Sequence, residues 1–505
     1  SGPTWYIETD GNDTTGTGAS DRPFASIQSA VNFATTDGDS VTVAAGTYVE
    51  NINFRGRNIK VVGADRETTI IDGNQAESVV VFKNGETPLA LLSDFTIQNG
   101  LGFRGGGVYY YGSNATLTNL KVVDNSASDW GGGLFLQNSN PTMDNLFVQN
   151  NSASGYGGGI YYIDSNPSLS NVTISENSAV EGGGIVIWNS SNTTLTNVTI
   201  NGNTTIGNNE NSLGGGILCI WSSPTLTNVT ISDNSTSGEA GGIYLDSSNP
   251  ILVNTILWSN SPQDVYFVEE QSWNEPSSIT ISYSDVENGQ DSIVTNNNGT
   301  ITWGNGNIDV DPLFVDPDNG NYNLTADSRL IDAGHPDSTD ADGTIADMGA
   351  YYYDQSGQPI RVTNLITTPS ANNVSVKWNA NSDAGSYNVY RSTDGSADFY
   401  SLSPYTTASD TSYVDETAAD NTTYHYRVSA VDSESDEGIL AFADHGRTGA
   451  DSTALYAPDV YLSRTLPADL DGGTSFTLEG FFRFAMTPAE ERSFIFLAEF
   501  SVSMF

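Results

Sequence analysis

The 505-residue chain has one cysteine, three histidines and 17 Lys plus Arg. A lone Cys219 excludes an internal disulfide and any cysteine-rich zinc site. His335, His425 and His445 stand in no setting of a known serine or cysteine nucleophile. Against 61 Asp plus Glu, the few basic residues leave a formal net charge of −44. Such a surface repels phosphate backbones and anionic lipid, so nucleic acid and membrane insertion are not expected. No apolar run reaches the roughly 18 residues of a spanning helix; residues 493–505 are fewer and carry Glu499. Phosphate-binding glycine motifs are missing too, because the glycine triplets follow no Walker or Rossmann spacing.

What is present is a core-forming composition: 37% hydrophobic residues, with 20 Phe, 24 Tyr and 8 Trp. The length suggests about three domains. Residues 120–145, 146–171 and 172–197 are successive 26-residue units: LKVVDNSASDWGGGLFLQNSNPTMDN, LFVQNNSASGYGGGIYYIDSNPSLSN and VTISENSAVEGGGIVIWNSSNTTLTN. Residues 198–228 form a 31-residue version, and 229–254 return to 26. Asn119, Asn145, Asn171, Asn197, Asn228 and Asn254 form one register; Asn125, Asn151, Asn177, Asn203, Asn234 and Asn260 form a second. Each unit holds short alternating segments of the types PTLTN, VTIS and GGGIYY, separated by Asn or Gly corners. Period-two alternation predicts strands. A unit without helix or hairpin cannot bury its own apolar face, whereas stacking units in register buries it with like on like. The pattern therefore predicts a solenoid of parallel strands, about ten coils spaced about 4.8 Å apart and so about 50 Å long. Asn side chains at corners can bond to the Asn one coil away, and the glycine triplets allow tight corners at positive φ.

These units resemble the right-handed parallel β-helix repeats of the pectate-lyase-like superfamily and of secreted bacterial adhesins. The N-terminal part, PFASIQSAVNFATTDGDSVTVAAGTYVENINF, is similar as well. Its Ile27, Ala30, Val31 and Ala34 make a helical stripe that such proteins use to plug the first coil, before a strand at 40–44. Residues 311–354 resemble closing coils. After Gln358 the period stops, and 360–437 resemble a fibronectin type III sandwich, with Trp378, Tyr387, Tyr390, Tyr424 and Tyr426 as core aromatics. Residues 450–505 resemble the opening of a laminin-G or concanavalin-like jelly roll. The expected organisation is thus all-β: a cap at 1–40, a parallel β-helix at 41–356, the sandwich, and an incomplete second sandwich. The resemblance fixes a fold that hosts lyases, hydrolases, adhesins and structural proteins, and leaves the activity open.

Polysaccharide cleavage is the enzyme that the resemblance implies. A lyase needs a strong base, and between Lys121 and Arg329 there is no Lys, Arg or His. Its base would come from Arg22, Arg55, Arg57, Lys60, Arg66, Lys83, Arg104 or Lys121. The Asp-Asp pair and Gly-His-Gly triplet of polygalacturonase-like hydrolases are absent. Asp124, Glu176 and Asp233 recur just before the second Asn register and read as a solvated face or cation strip. Cys219 stands where sister coils have Tyr110, Leu136, Tyr162, Ile187 and Leu245, so it reads as a core residue.

Two binding features remain. Asp337, Asp340, Asp342 and Asp347 surround a turn-making Gly343, and Asp309, Asp311, Asp316 and Asp318 form a second cluster. Oxygen-rich loops of this kind suit Ca²⁺, or are Asx-turns without metal. The residue after each inward aliphatic of the glycine corner points outward: Tyr109, Phe135, Tyr161, Val186, Leu218 and Tyr244. With Trp130 and Tyr156 at neighbouring corners, this column stacks on sugar rings or docks a protein, or else stiffens the rod by cross-coil stacking. The expected protein is a secreted or cell-surface, non-catalytic, adhesin-like monomer, bacterial, with its signal peptide removed. Its partner is a polysaccharide or a protein of the cell surface or secretion machinery. The alternatives are an extracellular lyase or glycoside hydrolase, and a trimeric tailspike.

Overall fold

The structure is a computed structural model that describes residues 3–207, 212–271, 274–370 and 372–448, and backbone strand positions at 475–476 and 500–501. The chain divides into two compact units, Ser1–Tyr353 and Asp354–Phe505. The laminin-G-like expectation falls almost wholly on residues outside the described ones. Among the described residues no helix is long and apolar enough to cross a membrane.

The first unit is a parallel β-solenoid of about 10 turns. Its long sheet has 16 strands, a second sheet nine, and a short sheet five. Strands of successive repeats pair in parallel with repeat register kept, Leu117 on Met143 and Leu169 on Leu195. A central coil runs through the long sheet (for example Thr116–Val123), the short sheet (Ser126–Trp130) and the second sheet (Leu134–Gln137). The expected PTLTN and VTIS segments are one eight-residue strand, bent at the first Asn register. Those Asn residues adopt φ between 51° and 55°, a region that Asn enters more readily than most side chains. The short-sheet strand was not legible, because SASDW and SASGY alternate small and polar residues.

The second Asn register builds a buried ladder. Asn125, Asn151, Asn177, Asn203 and Asn234 each donate Nδ2 to Oδ1 of the next Asn at 2.9–3.0 Å. Each receiving Oδ1 also takes the backbone N–H of the preceding Asn. A serine ladder, not read from the sequence, lines the third corner. Backbone N–H groups of Ser113, Ser139, Ser165, Ser191, Ser222 and Ser248 donate to the hydroxyl one coil on, ending at Ser277. Buried backbone polar groups need such partners, and stacking supplies them identically in every coil.

The first coils are capped by the helix Ile27–Phe33, with Ile27, Ala30, Val31 and Ala34 fully buried as the stripe requires. Its first N–H groups, those of Ile27 and Gln28, donate to the Glu50 carboxylate. Residues 311–353 differ from the expected closing coils. Phe314–Asp316 and Asn321–Leu324 form an antiparallel pair. The segment then returns across earlier coils, where Gly349 N–H donates to Asn254 O, and Ala350 N–H to Thr230 Oγ1.

The second unit has antiparallel sheets of three and four strands, Ile366–Pro369, Val374–Lys377 and Ser412–Asp415, and Thr406–Ala408, Ser386–Ser392, Thr423–Val431 and Asp444–Arg447. Trp378, Tyr387, Val376, Val389 and Tyr426 from both sheets share one core.

Candidate functional site

Residues of each second-sheet strand alternate inward and outward. The first and third lie in the main core, as Leu134 and Leu136 do; Cys219 sits there fully buried, its thiol pushed up to about 12 by that burial. The second and fourth face out, so Phe135, Tyr161 and Tyr244 point away from the main core as read. They are nevertheless 0%, 1% and 6% exposed. The reason is the short sheet: its strands end at Trp130 and Tyr156, and the glycine corners return the chain so that these rings lie over the outer face. Trp130 stacks on Tyr161 at 4.9 Å and on Phe135 at 6.3 Å. Tyr109, Phe135 and Tyr161 stack on one another at 5.5 and 5.6 Å. The column is a second hydrophobic core. Of the six aromatics singled out, Tyr109, Trp130 and Tyr156 remain partly accessible, and Phe135, Tyr161 and Tyr244 do not.

Only the first glycine of each corner needs a positive φ, as at Gly131 (φ 68°); the second is required by close approach. A Cβ on Gly132 would lie 2.4 Å from the carbonyl oxygens of Gly158 and Ser152.

Along the short-sheet tips, Arg104, Trp130, Tyr156 and Glu181 lie in register. Arg104 is stacked 3.8 Å over Trp130 and paired with Asp129 at 3.0 Å. Burial against the aromatics pushes the Glu181 carboxyl up to about 7. The fourth, outward column carries Trp188, half-buried, and the next corner carries Trp221, exposed. Neither stood out in the sequence reading, although sister coils have Tyr111, Gln137, Ile163, Ile220 and Asp246 at the first position and Gly, Asn, Asp or Ser at the second.

Three further bases, Arg57, Arg66 and Lys121, are engaged as well. Arg57 donates to Asn32 O and Ala34 O of the cap. On the outer side of the long sheet, Lys121 and Arg66 both pair with Glu67, and Arg66 lies 4.5 Å over Phe147. Asp124, Glu176 and Asp233 are exposed at left-handed corners, φ 56–57°, in line with the solvated-face reading.

Of the carboxylates expected to gather at residues 337–347, those of Asp340, Asp342 and Asp347 are held by protein donors. Asp347 accepts N–H groups of Asp332 and Tyr353, Asp340 accepts that of Asp347, and Asp342 caps Thr344. Burial raises Asp347 to about 7 and Asp340 to about 6. Asp316 takes the Asn319 amide, and Asp318 is exposed. Oxygens of Asp337, Asp340, Asp342 and Asp347 do not converge on one point; among the described residues the carboxylates that do, within 4.8 Å, are Asp432, Glu434 and Asp436 of the second unit. Asp340, Asp342 and Asp347 thus point oxygens at backbone N–H groups, the turn bonds named above as the alternative to Ca²⁺.

No curated protein matches the sequence. Among solved structures, an Fn3-like protein from Clostridium thermocellum is 30% identical over 17% of this chain and 86% of its own, with a TM-score of 0.15. A pectate lyase is 14% identical over 70% of this chain and 96% of its own, with a TM-score of 0.39. A pectin methylesterase from carrot is 13% identical over 59% and 88%, with a TM-score of 0.31. Residues 10–225 match the family described as "Right handed beta helix region", in keeping with the in-register parallel coils of that stretch.

Proposed function

We propose that this is a secreted or cell-surface modular protein that binds glycans without cleaving them. The observation that carries this reading is the partly accessible aromatic strip of Trp130, Tyr156, Trp188 and Trp221 beside carboxylate and amide groups. Aromatic faces stack on the C–H faces of sugars, and Asp and Asn take their hydroxyls. The regular coils supply no basic residue beyond Lys121, which removes the base a lyase needs there. The fibronectin type III-like and laminin-G-like segments fit spacers or adaptors on this reading, and the protein acts as a monomer. Incubation with acidic and neutral polysaccharides should give retention without new chain ends. Unsaturated or reducing ends would overturn the proposal.

A second reading, a polysaccharide lyase, draws on one observation. Lys121 and Arg66 meet at Glu67 on the outer side of the long sheet, beside Phe147. It requires unsaturated product from an acidic glycan, lost in Lys121→Ala.

A further inference from the structure

After the fourth residue of each second-sheet strand, the chain turns through a left-handed residue. The successive occupants are Gly112 (φ 61°), Asn138 (51°), Asp164 (51°), Asn189 (56°), Trp221 (48°) and Ser247 (50°). Gly, Asn, Asp and Ser enter this region with small or self-bonding side chains; a large ring is uncommon there, Tyr283 (φ 49°) being another case in this chain. Trp221 is nevertheless there, and it is 44% exposed, so burial does not compensate the disfavoured backbone. Its ring contact among the described residues is edge-on to Trp188, at 6.4 Å and 67°. Trp188 in turn meets Tyr156 edge-on at 5.7 Å, so the rings step from the outer core into solvent. Disfavoured conformations that the core does not demand gather at ligand sites.

The surroundings are polar and acidic. Asn189 Nδ2 donates to Asp164 Oδ1 at 2.6 Å on the neighbouring coil. On the other side, Ser247 Oγ donates to Asp246 Oδ1 at 2.8 Å, and the Trp221 N–H bonds to Asp246 O. No Lys, Arg or His occurs in sequence between Lys121 and Arg329 to receive a sugar carboxylate, and the exposed Asp164 would repel one.

We propose that Trp221 and Trp188 form a stacking platform for an uncharged pyranose of a neutral polysaccharide, with the exposed Asp164 and Asn189 taking its hydroxyls. The subsite rests on the glycan-binding reading and narrows it to neutral sugars. Its occupant is set by charge: uronate chains meet like charge there, and neutral chains do not.

The test is affinity electrophoresis of the full chain in gels holding barley β-glucan, xyloglucan, galactomannan or polygalacturonate. Trp221→Asn is the informative variant, since it installs the residue that the adjacent coil uses at this corner. At least one neutral glycan should retard the wild type, and Trp221→Asn should bind about tenfold more weakly, the loss of one aromatic platform. Its melting temperature should stay equal or rise. A fall in melting temperature would make Trp221 a structural residue and overturn the subsite. Equal retardation of both proteins, or retardation of the wild type by polygalacturonate alone, would overturn the subsite and leave glycan binding standing. No retardation in any gel would remove both.

Discussion

A single asparagine of the buried ladder serves several backbone and side-chain groups at once. Asn177 Oδ1 accepts from Asn151 N–H and Nδ2, and its own Nδ2 donates to Val148 O and Asn203 Oδ1. Truncation leaves buried groups unmatched, at about 1–3 kcal/mol each. Asn177→Ala should therefore destabilise the solenoid by about 3 kcal/mol or more in denaturant unfolding. Asn150→Ala, on the exposed neighbouring corner, should lower stability by only about 1 kcal/mol, through its left-handed backbone and the exposed bond of its Nδ2 to Asp124 Oδ1. The ladder ends where Asn260 Nδ2 donates to Asp264 Oδ1 at 2.8 Å. Burial pushes the Asp264 carboxyl up to about 7, opposed by the Asn260 bond and reinforced by Glu287 and Asp309. In the unfolded chain an Asp titrates near 3.9. Between about pH 4 and pH 7 the folded form thus holds a proton that the unfolded form has released. Its stability falls as pH rises through that window and stays lower above it. Asp264→Asn keeps the acceptor and removes the charge. Its melting temperature should match the wild type near pH 4 and exceed it by about 2 °C or more at pH 8. Equal midpoints at pH 8 would show that Asp264 ionises freely.

At the scale of the element, the glycine corner decides whether the second core closes. Gly158 has neither room nor tolerance for a side chain: a Cβ would come within 2.5 Å of Gly183 O and Ser178 O. These are backbone atoms paired in register with the next coil, so they cannot move singly. Gly158→Ala should lower stability by about 2–3 kcal/mol, as overpacking does. It should also raise the exposure of Trp130 and Tyr156 to a fluorescence quencher, because the corner sets where those rings fall. A variant with wild-type quenching would separate the corner from the aromatic cover.

For the whole chain, a net charge of −44 makes the folded state self-repelling, and the unfolded state partly relieves this. Raising NaCl from low to physiological concentration should raise the melting temperature through screening. Calcium remains a proposal for the 337–347 loop, and there it would have to displace the Thr344 donors from Asp342. If it does, CaCl₂ should give a higher midpoint than NaCl of equal ionic strength, and Asp342→Ala should lose the difference. Identical midpoints in the wild type would reduce the loop to its turn bonds. Sedimentation should give a monomer; a trimer would favour the tailspike alternative.

The sequence by itself determined the solenoid, because a 26-residue repeat maps directly onto stacking: identical units placed in register put Leu117 under Met143 and Asn125 under Asn151. It determined the inward columns, the capping stripe at Ile27, Ala30 and Val31, and the core place of Cys219, since each depends on local periodicity. It also gave the outward direction of Phe135 and Tyr161. Tertiary structure alone decided that these rings are covered, because cover depends on the path of the glycine corner and on where Trp130 lands one coil away. It decided that residues 311–353 return over earlier coils, a long-range packing with no repeat to announce it. And it set Trp221 apart from Trp130, Tyr156 and Trp188 of the strip, for its left-handed backbone is fixed by the corner it occupies in the stack, while its residue type opposes that conformation.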